Sequence, residues 1–461
     1  MSMPSPSPVV EASKWVLQPK ADQFVKETLE TFLSRCPGAA RLKERMLNET
    51  GIRMLDILDH MVLPAAVGLE DRLRDAGFIT KQLSGADLCY VHEDGIFPDI
   101  IIRPKGSIQV FMAVEFVADF LAAQNISVAI EGKPWSTYRR AKVWEGDHTE
   151  FWVLERHGHI GFDIPNPTDE QIVQCQRHLE IFRARRRLFK DEIKGFDHVD
   201  ALIDRAIEDL GVHWTCFLFF LVEREYWQRR NKAAQIQKTR QDALGLGWVN
   251  DDHHTFDTSR PLFTRTIRTL EKLGFYCRER FYAGSEAGWG SQILEQPALG
   301  IIIFADLDLT PEELEGDYAH LPKAPLPDLR RAGMWCALHG ESLLEAGINH
   351  LECMYDSKAL HQQLQKIGVE WMKPFSDFPH LYQELTLGER WPVREERLER
   401  LLAQKYITKE DAEDFRKNGA IGSHLENLER NQGFKGFNQP GISGVILRID
   451  PRANMGGQWT R

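Results

Sequence analysis

The chain has 461 residues, with 57 Lys and Arg against 68 Asp and Glu, a formal net charge of −11. With 43% hydrophobic and 27% charged residues it has a globular composition, and its length fits roughly two to four structural units, which excludes disorder as a general description. The acidic balance excludes a whole-molecule electrostatic footprint for nucleic acid or an anionic membrane.

Residues 1–12 read as a flexible lead-in, of which 1–8 are rich in Ser and Pro and lack the apolar run of a secretory signal. Residues 21–47 carry Phe24, Leu29, Phe32, Leu33, Leu42 and Met46 at helical steps, a small N-terminal helical region over 1–51. A recurring pattern then begins. Residues 54–63 read as a strand carrying His60, followed by a helix opened by Pro64 and stopped by Gly77. Residues 166–245 are helical and charged, a connection whose densest apolar run, Cys216–Val222, is far short of the roughly 20 residues that span a bilayer. Residues 252–256 read as a strand carrying His253 and His254, followed by a helix opened by Pro261 and stopped by Gly274, then a strand over 275–282. Residues 348–355 read as a strand carrying His350, followed by a helix capped by Ser357 and stopped by Gly368.

The far ends of these stretches also match: Leu154-Glu155-Arg156, Leu294-Glu295-Gln296 and Leu428-Glu429-Arg430. Setting aside a polar helical insert over 382–418, Glu429 follows His350 at nearly the distance at which Glu295 follows His254. The repeated unit is strand, helix, then three strands, and the expected fold class is α+β. The expected modules span 52–165, 246–330 and 331–461, the first lengthened by extra strand and helix signals over 107–124.

Histidines on opening strands and glutamates on closing strands can meet when such modules pair. Two imidazoles and one carboxylate with open positions suit non-haem Fe(II), and the same donors can hold Mn, Ni or Zn. His254, His350 and Glu429 are the leading metal candidates, with His60, His253 and Glu295 as alternatives. His253 competes with His254 because adjacent strand residues face opposite sides. His424 and Glu426 share a strand face, opposite to that of Glu429, and read as a solvated polar edge. An organic-acid substrate calls for a guanidinium fork. Arg448, between Leu447 and Ile449, is the first candidate, with Arg260 and Arg280 as rivals and Trp289, in Gly284–Gly290, as a pocket wall. The seven cysteines are scattered without a C-x-x-C pair, which points to reduced thiols and a cytoplasmic location. No nucleophile elbow, dinucleotide fingerprint or phosphate loop is present.

The repeated unit resembles that of the vicinal-oxygen-chelate superfamily, whose paired βαβββ modules form a cupped sheet around a divalent metal. Ile348-Asn349-His350-Leu351 and Glu429-Arg430-Asn431-Gln432-Gly433 are similar to segments of its iron-dependent 2-oxoadipate dioxygenase/decarboxylase group, although the His-Gly-Ala-Ile-Arg segment of that group is missing here. The resemblance implies an Fe(II)-dependent dioxygenase acting on a small 2-oxo acid or related carboxylated molecule. A glyoxalase-type isomerase or lyase and a metal-free binding protein are the rival expectations. The expected partners are a small organic acid and a second copy of the chain, with neither nucleic acid nor membrane.

Overall fold

A computed structural model describes residues 15–82, 88–162, 164, 166–285, 287–314 and 316–437. Its first elements are the amphipathic helices α1 (Pro19–Leu33) and α2 (Pro37–Thr50), which bury Phe24, Leu29, Phe32, Leu42 and Met46. The sequence suggests one continuous helical stretch. Pro37, which has no backbone N–H to donate, divides it by opening α2.

The first sheet contains β1 (Leu58–Pro64), β2 (Ile79–Gln82), β3 (Leu88–Val91), β4 (Asp99–Arg103), β5 (Ile108–Ala113), β6 (Tyr138–Gly146) and β7 (Thr149–Arg156). Helix α3 (Leu69–Asp75) follows β1, and α4 (Val117–Ala123) follows β5. The strand order β2-β3-β4-β1-β5-β7-β6 holds two units, not one. In each, the opening strand runs parallel to the closing strand, β1 to β4 and β5 to β7, and the two opening strands pair antiparallel. The extra signals over 107–124 are therefore the start of a second unit. Its second strand is reduced to a single bridge between Glu131 and Arg140.

Helices α5 (Asp169–Ala184), α6 (Glu192–Leu210), α7 (Val212–Gln228) and α8 (Lys232–Asp242) form the connection. Helix α7 is apolar nearly all round and buried along most of its length, as expected of a helix that packs on several sides. Its Glu223 accepts from Arg185 at 2.9 Å and Arg187 at 2.7 Å, with no exposure at the carboxylate. Among the described residues, no helix is long and apolar enough to cross a membrane.

The second sheet contains β8 (Asp251–Asp257), β9 (Tyr276–Tyr282), β10 (Trp289–Gln296), β11 (Ile301–Asp308), β12 (His350–Met354), β13 (Ser376–Phe378), β14 (Leu381–Leu385), β15 (Glu389–Trp391) and β16 (Ala420–Arg430). Helix α9 (Phe263–Lys272) follows β8, α10 (Arg331–His339) precedes β12, and α11 (Ser357–Gln365) follows it. The insert adds α12 (Glu395–Ala403) and α13 (Lys409–Asn418) before β16. The order β13-β14-β16-β12-β8-β11-β10-β9 repeats the first sheet's plan, again with parallel opening and closing strands joined by an antiparallel central pair, here β8 and β12. The fold is thus α+β, built from repeated βαβββ units in two mixed sheets.

One face of the second sheet packs on the helices through Phe256, Ile303, Leu351 and Leu425. The other face is cupped, and a smaller apolar cluster of Phe281, Trp289, Ile293, Leu385 and Phe437 lies along it. Between α8 and β8 the chain passes against α4 of the first sheet. Gly245 has φ 73°, and a Cβ there would lie 2.3 Å from Phe120 Cα. Gly245→Ala is expected to destabilise the fold by about 1–3 kcal/mol, through the left-handed backbone and the overlap, measured as a lowered urea midpoint.

Candidate metal centre on the cupped sheet

The antiparallel pairing of β8 with β12 sets His253 opposite Glu352, and the parallel pairing of β12 with β16 sets Glu352 beside Glu426. Side chains alternate along a strand, so His253, His350, Glu352, His424 and Glu426 share the cupped face. All five are buried, none more than 6% exposed. This face lies inside the fold, so the expectation that His424 and Glu426 form a solvated edge is corrected. A polar face at the sheet centre has the same alternation in sequence as a solvated one.

His253 Nε2 meets Glu352 Oε2 in an ion pair. Glu352 Oε1 accepts from Gln383 Nε2 at 2.9 Å. Glu426 bonds to Glu352 and lies 3.9 Å from His350 Nδ1 through its Oε2. Burial and the neighbouring Glu352 hold the Glu426 carboxyl well above its usual range. Burial lowers the basicity of His253, but Glu352 and Asp252 outweigh it and raise its pKa to about 9. His350 stays neutral, because burial and the nearby His424 disfavour its charge, and its Nδ1 has no hydrogen-bond partner. His424 gives Nδ1–H to the Thr386 carbonyl at 2.7 Å and stacks on His350 at 4.9 Å, fixing that ring's plane.

The donor set fits a divalent cation. Two carboxylates in mutual contact away from water need a proton or a cation between them. Asp252, His253 and Glu352 place one donor atom each within 4.8 Å of one another, and Glu426 bonds to Glu352 with His350 alongside. Asp252 contacts His253 Nδ1 at 2.9 Å, which leaves Nε2 to face the carboxylates. Arg430 holds Asp252 in turn, Nε to Oδ2 at 2.9 Å. Asp252→Asn is expected to weaken metal binding about 10–100-fold with little change in fold, read by competition against a chelator.

The leading candidates from the sequence fare differently. His350 stands in this cluster. His254 points to the opposite face, against Phe220 at 5.2 Å and Arg224 at 3.5 Å, and its ring is held neutral by burial and by Arg224. Glu429 also faces the helices, accepting from Ser357 N at 2.9 Å at the start of α11 and from Arg53 at 3.3 Å. Glu155 does the same for Val117 N at the start of α4. The recurring Leu-Glu is thus a helix cap supplied by the closing strand.

Among the alternatives, His253 is in the cluster. Glu295 lies on β10, not on a closing strand, and bonds Arg278 and Tyr276. His60 occupies the position in the first sheet that corresponds to His253. It has the matching Asp59, at 2.6 Å from Nδ1, and Arg156 grips Asp59 as Arg430 grips Asp252. The positions of Glu352 and Glu426, however, are taken by Phe111 and Trp152. His60 stacks on Phe111 at 4.0 Å, and Phe111 on Trp152 at 5.5 Å. The row that carries Glu352 and Glu426 in the second sheet thus carries no carboxylate here.

Of the arginines, Arg448 lies outside the described residues. Arg260 is structural, held by Glu313 at 2.7 Å and by the Asp308 and Ala324 carbonyls. Arg280 lies over Tyr318 at 4.8 Å. Trp289 does line the cup, under the Arg331 guanidinium at 4.3 Å. Arg331 was missed by sequence reading. It pairs with Asp257 at 2.8 Å and with Asp306, and it bears electrostatically on both His350 and His424. The sequence signal for the centre was the Asp-His pair common to Asp59-His60 and Asp252-His253, read together with the two Leu-Glu-Arg strings.

No family model matches the sequence, and no curated protein matches it. Solved structures that align with it include methylmalonyl-CoA epimerase from Mycobacterium tuberculosis, at 12% identity over 40% of this chain and 88% of that one, TM-score 0.23. A variant of 4-hydroxymandelate synthase from Streptomyces coelicolor aligns at 10% identity over 87% of this chain and 98% of that one, TM-score 0.28. A glyoxalase I variant from Zea mays aligns at 15% identity over 24% and 47%, TM-score 0.18. At such TM-scores the likeness says nothing about this chain's chemistry.

Proposed function

We propose that the chain is a metal-dependent enzyme of the vicinal-oxygen-chelate type, holding a divalent ion, Fe(II) by preference, with His253, Glu352 and Glu426, and with His350 beside them. The observation that supports this most strongly is the buried contact between the Glu352 and Glu426 carboxyls, with His253 Nε2 paired to Glu352. When bound, the ion would offer open positions to an oxo-acid substrate and to dioxygen, or polarise a carbonyl. The chain's own residues set the rest. Asp252 and Arg430 orient His253. Phe281, Trp289, Ile293 and Leu385 keep water from the cup and favour a substrate with an apolar body. Arg331, held by Asp257 and Asp306, lies over Trp289 at the cup wall.

Proton transfer at the same centre is the second reading. It is favoured by the two-glutamate donor set and by a Glu426 carboxyl that holds a proton more readily than usual. Anaerobic purification, metal analysis and oxygen uptake with small 2-oxo acids separate the two. Oxygen consumption that depends on added Fe(II) supports the dioxygenase, and turnover without oxygen supports proton transfer. A protein that neither retains a divalent ion nor gains stability from one overturns both.

A further inference from the structure

A second cluster of metal-binding groups lies apart from the cupped face. It joins the end of α9, the edge strand β9 and the turn near residue 320. Glu271, Cys277 and His320 place one donor atom each within 4.8 Å of one another. Exposed carboxylates alone would carry no weight, but here a thiol and an imidazole complete the set. His320 Nδ1 lies 2.6 Å from Asp317 Oδ2, while Asp317 Oδ1 accepts the His320 backbone N–H at 3.2 Å. A carboxylate fixed in this way orients the ring so that Nε2 faces Glu271 Oε1, 2.8 Å away. An imidazole nitrogen facing a carboxylate oxygen while its other nitrogen is held by a second carboxylate requires a cationic ring or a cation between them. Cys277 is half-buried, whereas the other six cysteines are buried.

We propose that Glu271, Cys277 and His320 form a surface site for a soft divalent cation, of the Zn²⁺ or Cd²⁺ class, with Asp317 positioning the histidine. Mixed S, N and O donors with a fourth position open to water match zinc's preferred coordination, and a thiolate selects against Mg²⁺ and Ca²⁺. The site ties the C-terminal end of α9 to β9 and to the 317–320 turn, so its metal would act as a clip on the sheet edge. It uses none of the residues of the cupped face and does not depend on the function proposed for them.

Cd²⁺ titration of the full-length protein tests it, because the ultraviolet thiolate-to-cadmium band reports a sulfur ligand and the cupped-face donors have none. The band is expected to saturate at one equivalent in wild type and in Glu352→Gln, to be absent in Cys277→Ser, and to be displaced by Zn²⁺. His320→Ala, which removes a largely exposed side chain, and Asp317→Asn are expected to weaken Cd²⁺ binding about tenfold or more. A wild-type protein without the band overturns the proposal. So does a band that persists in Cys277→Ser or an affinity unchanged in His320→Ala.

Discussion

Glu352→Gln and Glu426→Gln are each expected to leave a folded protein that no longer holds a divalent metal at the cupped face. Glutamine keeps the shape of the side chain and removes its charge, so the cupped face repacks little. If the free energy of binding a structural-type ion, about 10–16 kcal/mol, is spread over three or four donors, losing one costs on the order of a hundredfold or more in affinity. Metal-free Glu426→Gln is expected to melt no lower than metal-free wild type, since it relieves a buried contact between two carboxyls, whereas Glu352→Gln also removes the ion-pair partner of His253 and melts lower. Elemental analysis of purified protein and the metal-induced shift in melting temperature measure both effects. Stoichiometric metal in both variants on a Cys277→Ser background, where the surface site is removed, would rule out this donor set. The same contact sets a pH dependence. Burial and Glu352 raise the Glu426 pKa in the metal-free fold. Binding therefore expels a proton below that raised pKa, and affinity climbs with pH, up to about tenfold per pH unit, until the carboxyl ionises unaided.

Arg331→Met is expected to give the largest loss of stability, about 3–5 kcal/mol near neutral pH. Its guanidinium is the shared partner of Asp257 and Asp306, all three at most 3% exposed. Burial already pushes the Asp257 carboxyl up to about 8 despite Arg331, and Asp306 moves in the same direction. Without the arginine both rise further. A carboxyl with a folded pKa above its unfolded value takes up a proton on folding, so its cost is absent below about pH 4 and grows with pH through the folded pKa. The variant's defect should thus shrink as pH falls. Adding Asp257→Asn and Asp306→Asn should recover most of it. Urea denaturation at pH 5 and pH 8 checks the sign, and equal losses at both would show that the aspartates are not what destabilises the variant.

The architecture was legible where glycine and proline do local work. Gly77, Gly274 and Gly368 have φ of 91°, 86° and 86°, the left-handed conformation in which a helix stops. Pro64 marks a true boundary as well, although the helix begins later, at Leu69. The fourth unit was hidden because its second strand is almost gone and its helix is only seven residues long. The metal candidates were harder for a different reason. From His253 to Asp257 every residue of β8 is buried, one face under helices and the other under the cup, so no alternation told His253 from His254. The pairing of Glu352 with His253 and Glu426 depends on strand register across residues far apart in sequence, which no local pattern encodes.

The His60, Phe111 and Trp152 row shows what happens when a duplicated half is released from one task. The Asp59–Arg156 clamp persists on His60, whose ring bonds Asp59 on one side and stacks on Phe111 on the other. Aromatic rings took the carboxylate positions, exchanging an electrostatic liability for stacking that needs no ion to hold it together. The two halves of the chain are then a natural control pair, one backbone plan with an apolar centre and with an ionic one. Phe111→Glu with Trp152→Glu is the shortest route by which the silent half would acquire the donor set of its twin.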